Sequence, residues 1–344
     1  MKVIFDPIYG QIQVSSLCAA FIKTGEFQRL RRIMQLGNTS EVFPSGVLTR
    51  AEHSIGVMHI CGVIFNNMVN NSPGREKLIK YLPLIQLSGL LHDIGHGPKS
   101  HLFEEARKIM GMPFSHEEHS IYLIERINQR LNLLNEEQME IITCMILGKK
   151  IEGYPPCLFE IVANKDSGLD GDKMDYLQRD AYHLGITSID VEPIIKNCCI
   201  DDDGHITYSE AIKENIRELF KFRKLMYAKV YFDETVAKID RMWICAICQL
   251  EIDTEDPDAF FKLDDFVLYY RVKNEIQHDV INCLDNGITT HSCEKCPKSP
   301  LKRVAKLSSD TDDDPVYHVR FYEENTIQKL KVIDAIYSQK KNIE

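Results

Sequence analysis

The chain has 344 residues, 44% of them hydrophobic and 27% charged, with a formal net charge of −10. That length and apolar content allow one large domain or two ordinary ones with a sizeable core, and exclude a mainly disordered or collagen-like chain. The acidic balance disfavours a generic nucleic-acid coat, which would be basic, and leaves room for a local basic pocket around one small anion.

The first ten residues, MKVIFDPIYG, have neither the basic nor the apolar region of a secretory signal. Lys2 to Phe5 and Gln11 to Val14 alternate with period two and are expected as strands. Apolar residues then recur near a 3.6-residue period in Leu17 to Leu36, Glu52 to Met68, Glu76 to His92 and His116 to Leu131. Asn135 ahead of Glu136-Glu137 reads as a helix N-cap with acidic first-turn residues, opening a helix over Glu136 to Leu147. Asp172 to Leu184 and Ser209 to Lys238 continue the helical pattern. Asp203-Gly204 suits a hairpin turn between two short strands. Asn71 to Gly74 and Gly153 to Pro156 are loops. The expected fold is all-α or α-dominated, with small β accessories.

After about Leu250 the pattern weakens. A catalytic core over 1–250 and a smaller C-terminal lobe over 251–344 are expected. In that lobe Ser308 to Pro315 (SSDTDDDP) reads as a mobile acidic linker, and Glu323 to Tyr337 as an amphipathic docking helix. No apolar run approaches the ~18 residues of a membrane span, so no membrane partner is expected. Eleven cysteines spread over such a chain read as reduced thiols of a cytoplasmic or nuclear protein. Cys245-Ala-Ile-Cys248 reads as buried helix. His291, Cys293 and Cys296 have only partial zinc spacing.

The histidines carry the chemical signal. Seven of the twelve fall between His53 and His119. His92 and Asp93 close an apolar helix (LIQLSGLLHDIGHG), and imidazole nitrogen and carboxylate oxygen are suitable ligands for Zn²⁺, Fe²⁺ or Mn²⁺. Adjacent residues point about 100° apart on a straight helix, but Gly95 and Gly97 end the helix there, where a pair can converge on an ion. His53, from a preceding helix, and a later carboxylate would complete the shell. His278-Asp279, in a polar stretch without other histidines, serves as an internal control and reads as surface.

HDIGHGPKSH (92–101) resembles the His-Asp superfamily of metal phosphohydrolases. Within it, the chain looks like the deoxynucleoside triphosphate (dNTP) triphosphohydrolase branch that includes the animal enzyme with a sterile-alpha-motif domain. Further segments match in order: KVIFDPIYG (2–10), FQRLRRIMQLG (27–37), FPSGVLTRAEHSIGV (43–57), FSHEEHS (114–120) and GLDGDKMDYLQRDAYHLGI (168–186). The chain starts at the segment matching the first catalytic-core strand, so the sterile-alpha-motif domain is expected to be absent.

The resemblance implies metal-dependent hydrolysis of dNTP to deoxynucleoside and inorganic triphosphate, controlling nucleotide pools. It implies His53, His92, Asp93 and Asp172 as ligands of one divalent metal, with Mg²⁺ arriving on the nucleotide. A bound metal lowers the pKa of water and polarises a phosphoryl oxygen. Arg50, Lys173 and Arg223 match phosphate-contacting cations. His96, His101 and His116 match histidines that touch the α-phosphate, position water or protonate the leaving group, with Glu117 placed to orient His116. Gln35, Tyr176 and Asp180 match residues that read the sugar, while Leu36 and Tyr231 press on C2′ and exclude a ribose hydroxyl. His59 and His119 have no such match and read as structural or surface residues.

A nucleotide effector site would involve Lys2, Val3, Gln28 and Arg31. Phe5 and Lys23, however, stand where the animal enzyme's guanine-reading site has Asn and Asp, which puts activation by guanine nucleotide in doubt. Tyr227 stands where the family often has His. A homo-oligomer, dimer or tetramer, is implied. The alternatives are another phosphohydrolase on the same scaffold (a 5′-nucleotidase, a cyclic-nucleotide diesterase or a guanosine-tetraphosphate hydrolase) and a weakly catalytic nucleotide or nucleic-acid sensor.

Overall fold

Strands β1 (Lys2–Asp6) and β2 (Gly10–Val14) form an antiparallel hairpin that pairs Lys2 with Val14 and Asp6 with Gly10. The computed structural model describes residues 2–254, 256–276, 281, 314 and 316–323. Asp6 Oδ1 closes the hairpin turn by accepting from the backbone N–H groups of Ile8 (2.9 Å) and Tyr9 (3.0 Å).

The expected helix over Leu17 to Leu36 is broken in two. α1 (Ser16–Ile22) ends at Lys23, and Thr24 caps α2 (Gly25–Arg29), which passes into a 3₁₀ turn, Leu30–Arg32. The Thr24 hydroxyl both donates to the Phe21 carbonyl and accepts from Phe27 N–H, so one threonine satisfies the two helix ends where they meet. Gln35 and Leu36 therefore lie outside any helix. The Gln35 N–H donates to the Leu48 carbonyl at 2.9 Å, and Met34 bridges to Thr49.

α3 (Arg50–Asn70) is the central element and is buried on most of its faces. α4 (Leu82–Leu91) follows a 3₁₀ segment, Glu76–Tyr81, where a single helix from Glu76 was expected, and runs along α3. α5 (His101–Ile109) has no counterpart in the sequence reading. α6 (His116–Leu131) and α7 (Glu136–Leu147) fall where the periodicity places them. Asn135 completes a reciprocal capping box with Gln138, an arrangement worth about 1 kcal/mol.

α8 (Gly171–His183) packs against α3. That approach needs Gly56, because a Cβ there would collide with the carboxylate of Asp175. α9 (Glu192–Lys196) leads into β3 (Cys198–Ile200) and β4 (Ile206–Ser209), the hairpin expected around Asp203-Gly204. β4 also pairs in parallel with β5 (Phe321–Tyr322).

The long helix expected to Lys238 is interrupted. α10 (Lys213–Met226) runs into a π-helical turn, Tyr227–Tyr231, and α11 (Glu234–Ile247) restarts behind the Asp233 N-cap. Such π segments recur at functional sites. Cys245 is buried on α11 and Cys248 caps its end, as expected for a helical Cys-Ala-Ile-Cys. α12 (Pro257–Phe261) and α13 (Asp265–Arg271) follow, and Phe260, Leu263 and Leu268 belong to the same core as α3 and α4.

The fold is α-dominated with small sheets, as the sequence reading has it. No described helix is long and apolar enough to cross a membrane. His278-Asp279, the HSCEKC motif, most of the SSDTDDDP linker and the docking helix expected from Glu323 lie outside the described residues. Asp314 of the linker is described, and pairs with Arg217 at 2.5 Å.

Candidate metal centre and phosphate pocket

Four elements meet at one point. Thr49 caps α3, which places Arg50 in its first turn and His53 one turn on. α4 ends at Leu91, so His92 is its C-cap and Asp93 opens the turn that follows. Asp170 caps α8 and sets Asp172 in the first helical turn. Gly95 allows α6 to press on this turn, since a Cβ there would strike the backbone of His116 and Ser120.

Asp172 Oδ1 lies 3.1 Å from His53 Nε2 and 3.5 Å from His92 Nε2. Asp93 Oδ1 is 3.4 Å from His92 Nε2, and its Oδ2 is 3.6 Å from His53 Nε2 and pairs with Arg50. The Nε2 atoms of His53 and His92 are buried and have no hydrogen-bond partner. Two orphaned imidazole nitrogens facing a carboxylate are what a divalent cation would satisfy, so the residues present fit the metal that the sequence implies. The far nitrogens are fixed: His92 Nδ1 lies 2.8 Å from the Gly89 carbonyl, and His53 Nδ1 lies 2.8 Å from Asp175 Oδ2.

The electrostatics match this arrangement. Burial alone would lower His53, but the neighbouring carboxylates of Asp172 and Asp175 outweigh it and lift its pKa to about 10. Burial would raise Asp93, but His92 and Arg50 hold it well below the usual carboxylate range.

Asp175 was missed by the sequence reading, although it sits three residues after Asp172 and so shares its helix face. Its carboxylate also takes a bidentate hydrogen bond from Arg179, at 2.9 Å to each oxygen. Arg179, fully buried, reaches on to Asp6 of the hairpin (2.8 Å) and to Glu52 (3.0 Å). A carboxylate that fixes the far nitrogen of a ligating histidine typically contributes ten- to a hundredfold in metal affinity. Asp175→Asn is therefore expected to weaken binding of Mn²⁺ or Zn²⁺ to the apo-protein by about that factor, read by isothermal titration; unchanged affinity would remove Asp175 from this role.

A second group lies beside the first. His96 and His116 stack with ring centroids 3.9 Å apart, and His101 meets both edge-on. Burial, with the charges of Arg50 and His116, holds His96 well below the ordinary imidazole range. The expected orientation of His116 by Glu117 is corrected by the structure: Glu117 lies 3.9 Å from Lys165, and the carboxylate on His116 is that of Glu104. Glu104 Oε1 takes His116 Nδ1 at 2.7 Å and its backbone N–H at 2.8 Å, and Oε2 takes His101 Nδ1 at 3.2 Å. Burial works against a charged His116, but Glu104 outweighs it and raises the His116 pKa. Glu104 follows His101 by one helical turn, a spacing hidden because α5 itself was not foreseen.

The three expected phosphate cations each have a partner here. Arg50 Nε donates to Ser100 Oγ at 2.8 Å, Lys173 pairs with Asp170 at 2.7 Å, and Arg223 Nε donates to the Tyr176 hydroxyl at 3.2 Å. Among the sugar-reading candidates, the Tyr231 hydroxyl donates to Asp180 Oδ2 at 2.6 Å, while Asp180 Oδ1 and Gln35 Oε1 are buried without partners. Leu36 is half-buried beside Gln35. Tyr227, Tyr231 and Tyr176 follow one another edge to face, with centroids 5.0 and 6.5 Å apart.

The effector candidates are further out. Lys2, Val3 and Phe5 are exposed on β1, and Lys23 is exposed at the end of α1. The Gln28 amide is already used, donating to the Ile22 carbonyl at 2.6 Å and accepting from Arg31 at 2.9 Å. His59 lies tilted against Tyr9 and His119 packs against Phe114 and Phe260, the structural one of the two places read for them.

Residues 50–184, the span that supplies every residue of both histidine groups, match the HD domain model. The chain thus carries an HD domain over residues 50–184. It is 34% identical over 278 residues to the deoxynucleoside triphosphate triphosphohydrolase SAMHD1 homolog of Dictyostelium discoideum, covering 78% of this chain and 54% of that protein. It is 32% identical over 296 residues to deoxynucleoside triphosphate triphosphohydrolase SAMHD1 of Homo sapiens, covering 78% and 45%. A putative HD domain-containing protein, L394, of Acanthamoeba polyphaga mimivirus is 33% identical over 292 residues, covering 78% and 64%. The chain thus spans about half the length of most of these curated relatives.

Proposed function

We propose that this protein is a metal-dependent phosphohydrolase that cleaves dNTP to deoxynucleoside and inorganic triphosphate, and so acts on nucleotide pools. The observation that carries the reading is the pair of unpartnered Nε2 atoms of His53 and His92 facing Asp172, with Asp93 alongside. These four residues would hold one Zn²⁺, Fe²⁺ or Mn²⁺. The activity for which the relatives are named, at about one-third identity, agrees with it.

When bound, the metal supplies a Lewis acid for a phosphoryl oxygen and acidifies water near neutral pH. The chain does the rest. Arg50, Lys173 and Arg223, exchanging their present partners for phosphate oxygens, neutralise a triphosphate that the protein's overall negative charge would repel. Water attacks the α-phosphorus and gives up a proton to solvent, the bond to the sugar 5′-oxygen breaks, and that oxygen takes a proton from the His101–Glu104–His116 group, which regains one from solvent. His116, whose pKa Glu104 raises against burial, is the proton donor of this group. Neutral His96, stacked on His116, adds no second positive charge there. Gln35, Tyr176 and Asp180 hold the sugar, and Leu36 and Tyr231 close the space a ribose 2′-hydroxyl would need. Mg²⁺ accompanies the nucleotide. A homo-oligomer and an effector nucleotide near Lys2, Val3, Gln28 and Arg31 belong to the same reading, with 251–344 as the C-terminal lobe.

Purified protein loaded with Mn²⁺ and given each dNTP should release deoxynucleoside and intact triphosphate on a chromatogram, and a chelator should stop it. Orthophosphate or a deoxynucleoside monophosphate as product would assign a different phosphohydrolase reaction.

Asp180 gives this site a pH signature. Burial pushes its carboxyl up to about 7, against the pull of the Tyr231 hydroxyl. From its ordinary value of 3.8 up to about 7, the native state keeps a proton that the unfolded chain has shed. Asp180 therefore costs stability as pH rises through that window. A sugar hydroxyl donating to Oδ1 favours the ionised form, so kcat/KM should rise through the same window. Asp180→Asn is expected to be more stable than wild type on the alkaline side, to lose the rise, and to bind dNTP about tenfold more weakly. A variant that keeps the wild-type pH profile would remove Asp180 from the sugar site.

A further inference from the structure

Outside the residues matched by the HD model, the N-terminus of α13 touches the pocket from behind. Asp265 is buried, and its two carboxylate oxygens accept from two backbone N–H groups far apart in sequence: Lys99 at 2.6 Å and Met34 at 3.0 Å. Met34 directly precedes the sugar-reading candidates Gln35 and Leu36. Lys99 and Ser100 close the turn that carries His96 and leads into His101.

Both residues of that turn have positive φ, 58° at Lys99 and 60° at Ser100, although neither is glycine. Such backbone is strained and persists only where its surroundings over-determine it. The surroundings here are specific. The Ser100 hydroxyl donates to the Met34 carbonyl at 2.6 Å and accepts from Arg50 at 2.8 Å. Arg29, fully buried, joins the same segments through carbonyls, donating to Leu263 (2.8 Å), Ile94 (3.2 Å) and His96 (2.6 Å). One carboxylate on α13 thus ties the segment that carries Gln35 and Leu36 to the strained histidine turn.

We propose that Asp265 is a positioning residue for the reaction proposed above: it clamps the Met34 and Lys99 amides together, and so sets Gln35–Leu36 against His96 and His101. The proposal rests on that functional reading. Asp264 provides the internal control. It anchors the same segment, accepting from Arg32 at 2.5 Å and capping α13 through Phe266 and Val267, but the hydrogen bonds to Met34 and Lys99 are made by Asp265.

In Asp265→Asn the side-chain NH₂ group faces one of the two amides, and a clamp bond is lost. With full-length, Mn²⁺-loaded protein, kcat for dNTP should fall roughly ten- to a hundredfold while bound metal stays at the wild-type level. Asp264→Asn should lose similar thermal stability with kcat changed less than about twofold. Asp265→Ser, smaller and with a single acceptor, should show the same split as Asp265→Asn and covers the case in which Asn does not fit. Hydrogen exchange in Asp265→Asn should speed up in segments 33–36 and 96–101 and stay unchanged in α8. Wild-type kcat in the Asp265 variants, or turnover lost in step with stability in both positions' variants, overturns the proposal, as does unchanged exchange. A wild-type protein inert toward dNTP overturns the functional reading instead, and the exchange result then decides the clamp alone.

Discussion

Asp172→Ala is expected to lower dNTP turnover by about 10³-fold or more, equivalent to ~4 kcal/mol of lost transition-state stabilisation. Asp172 Oδ1 is the atom that faces both orphaned imidazole nitrogens, at 3.1 and 3.5 Å. Without it His53 and His92 keep their orientation, through Asp175 and the Gly89 carbonyl, but lose the anionic side of the cage. The variant should still fold, because the Asp172 side chain is 31% exposed and α8 is capped by Asp170 rather than by Asp172. Circular dichroism should be unchanged while metal content by mass spectrometry drops well below one ion per chain. Replacing His92 and Asp93 together by alanine should abolish turnover as well. Full metal occupancy in Asp172→Ala would contradict the ligand assignment.

Glu104→Gln is the second large effect, and it separates proton handling from metal binding. The Glu104 carboxylate accepts from both His116 and His101 and raises the His116 pKa against burial. A group that acts as an acid works in its protonated form, so activity is lost as pH rises through its pKa. Neutralising Glu104 lowers that pKa toward the value burial alone would give. The alkaline limb of the kcat profile should therefore move to lower pH, and kcat at its optimum should fall about 10²-fold. Metal content should not change, because Glu104 does not contact His53, His92 or Asp172 among the described hydrogen bonds. An alkaline limb that stays in place would exclude the His101–Glu104–His116 group as the proton source.

The part of this site written in the sequence is the part set by local rules. His92-Asp93 with Gly95 and Gly97 marks a helix end, and α4 stops at Leu91 as that pattern requires. Asn135 ahead of Glu136-Glu137 announces α7, and Asp203-Gly204 announces the β3–β4 hairpin. What was not legible depends on contacts between distant segments. Leu17 to Leu36 looks like one helix because the apolar spacing continues through Lys23-Thr24, and only the Thr24 cap, satisfying both ends, breaks it. Glu117 is the neighbour of His116 in sequence, yet α5 brings Glu104 to it from twelve residues away. Asp175 was one of four aspartates in a short run, and its pairing with His53 emerges only when α8 packs on α3 across Gly56. Asp265 carried no signal at all, since its partners are backbone amides 166 and 231 positions away.

Hydrolysis in water labelled with heavy oxygen tests the central claim most directly. Attack on the α-phosphorus with departure of the sugar 5′-oxygen puts one labelled atom into the inorganic triphosphate and none into the deoxynucleoside. Label in orthophosphate, in a deoxynucleoside monophosphate or in the sugar would contradict the account, because the bond broken would then be a different one from the bond this pocket is proposed to cleave.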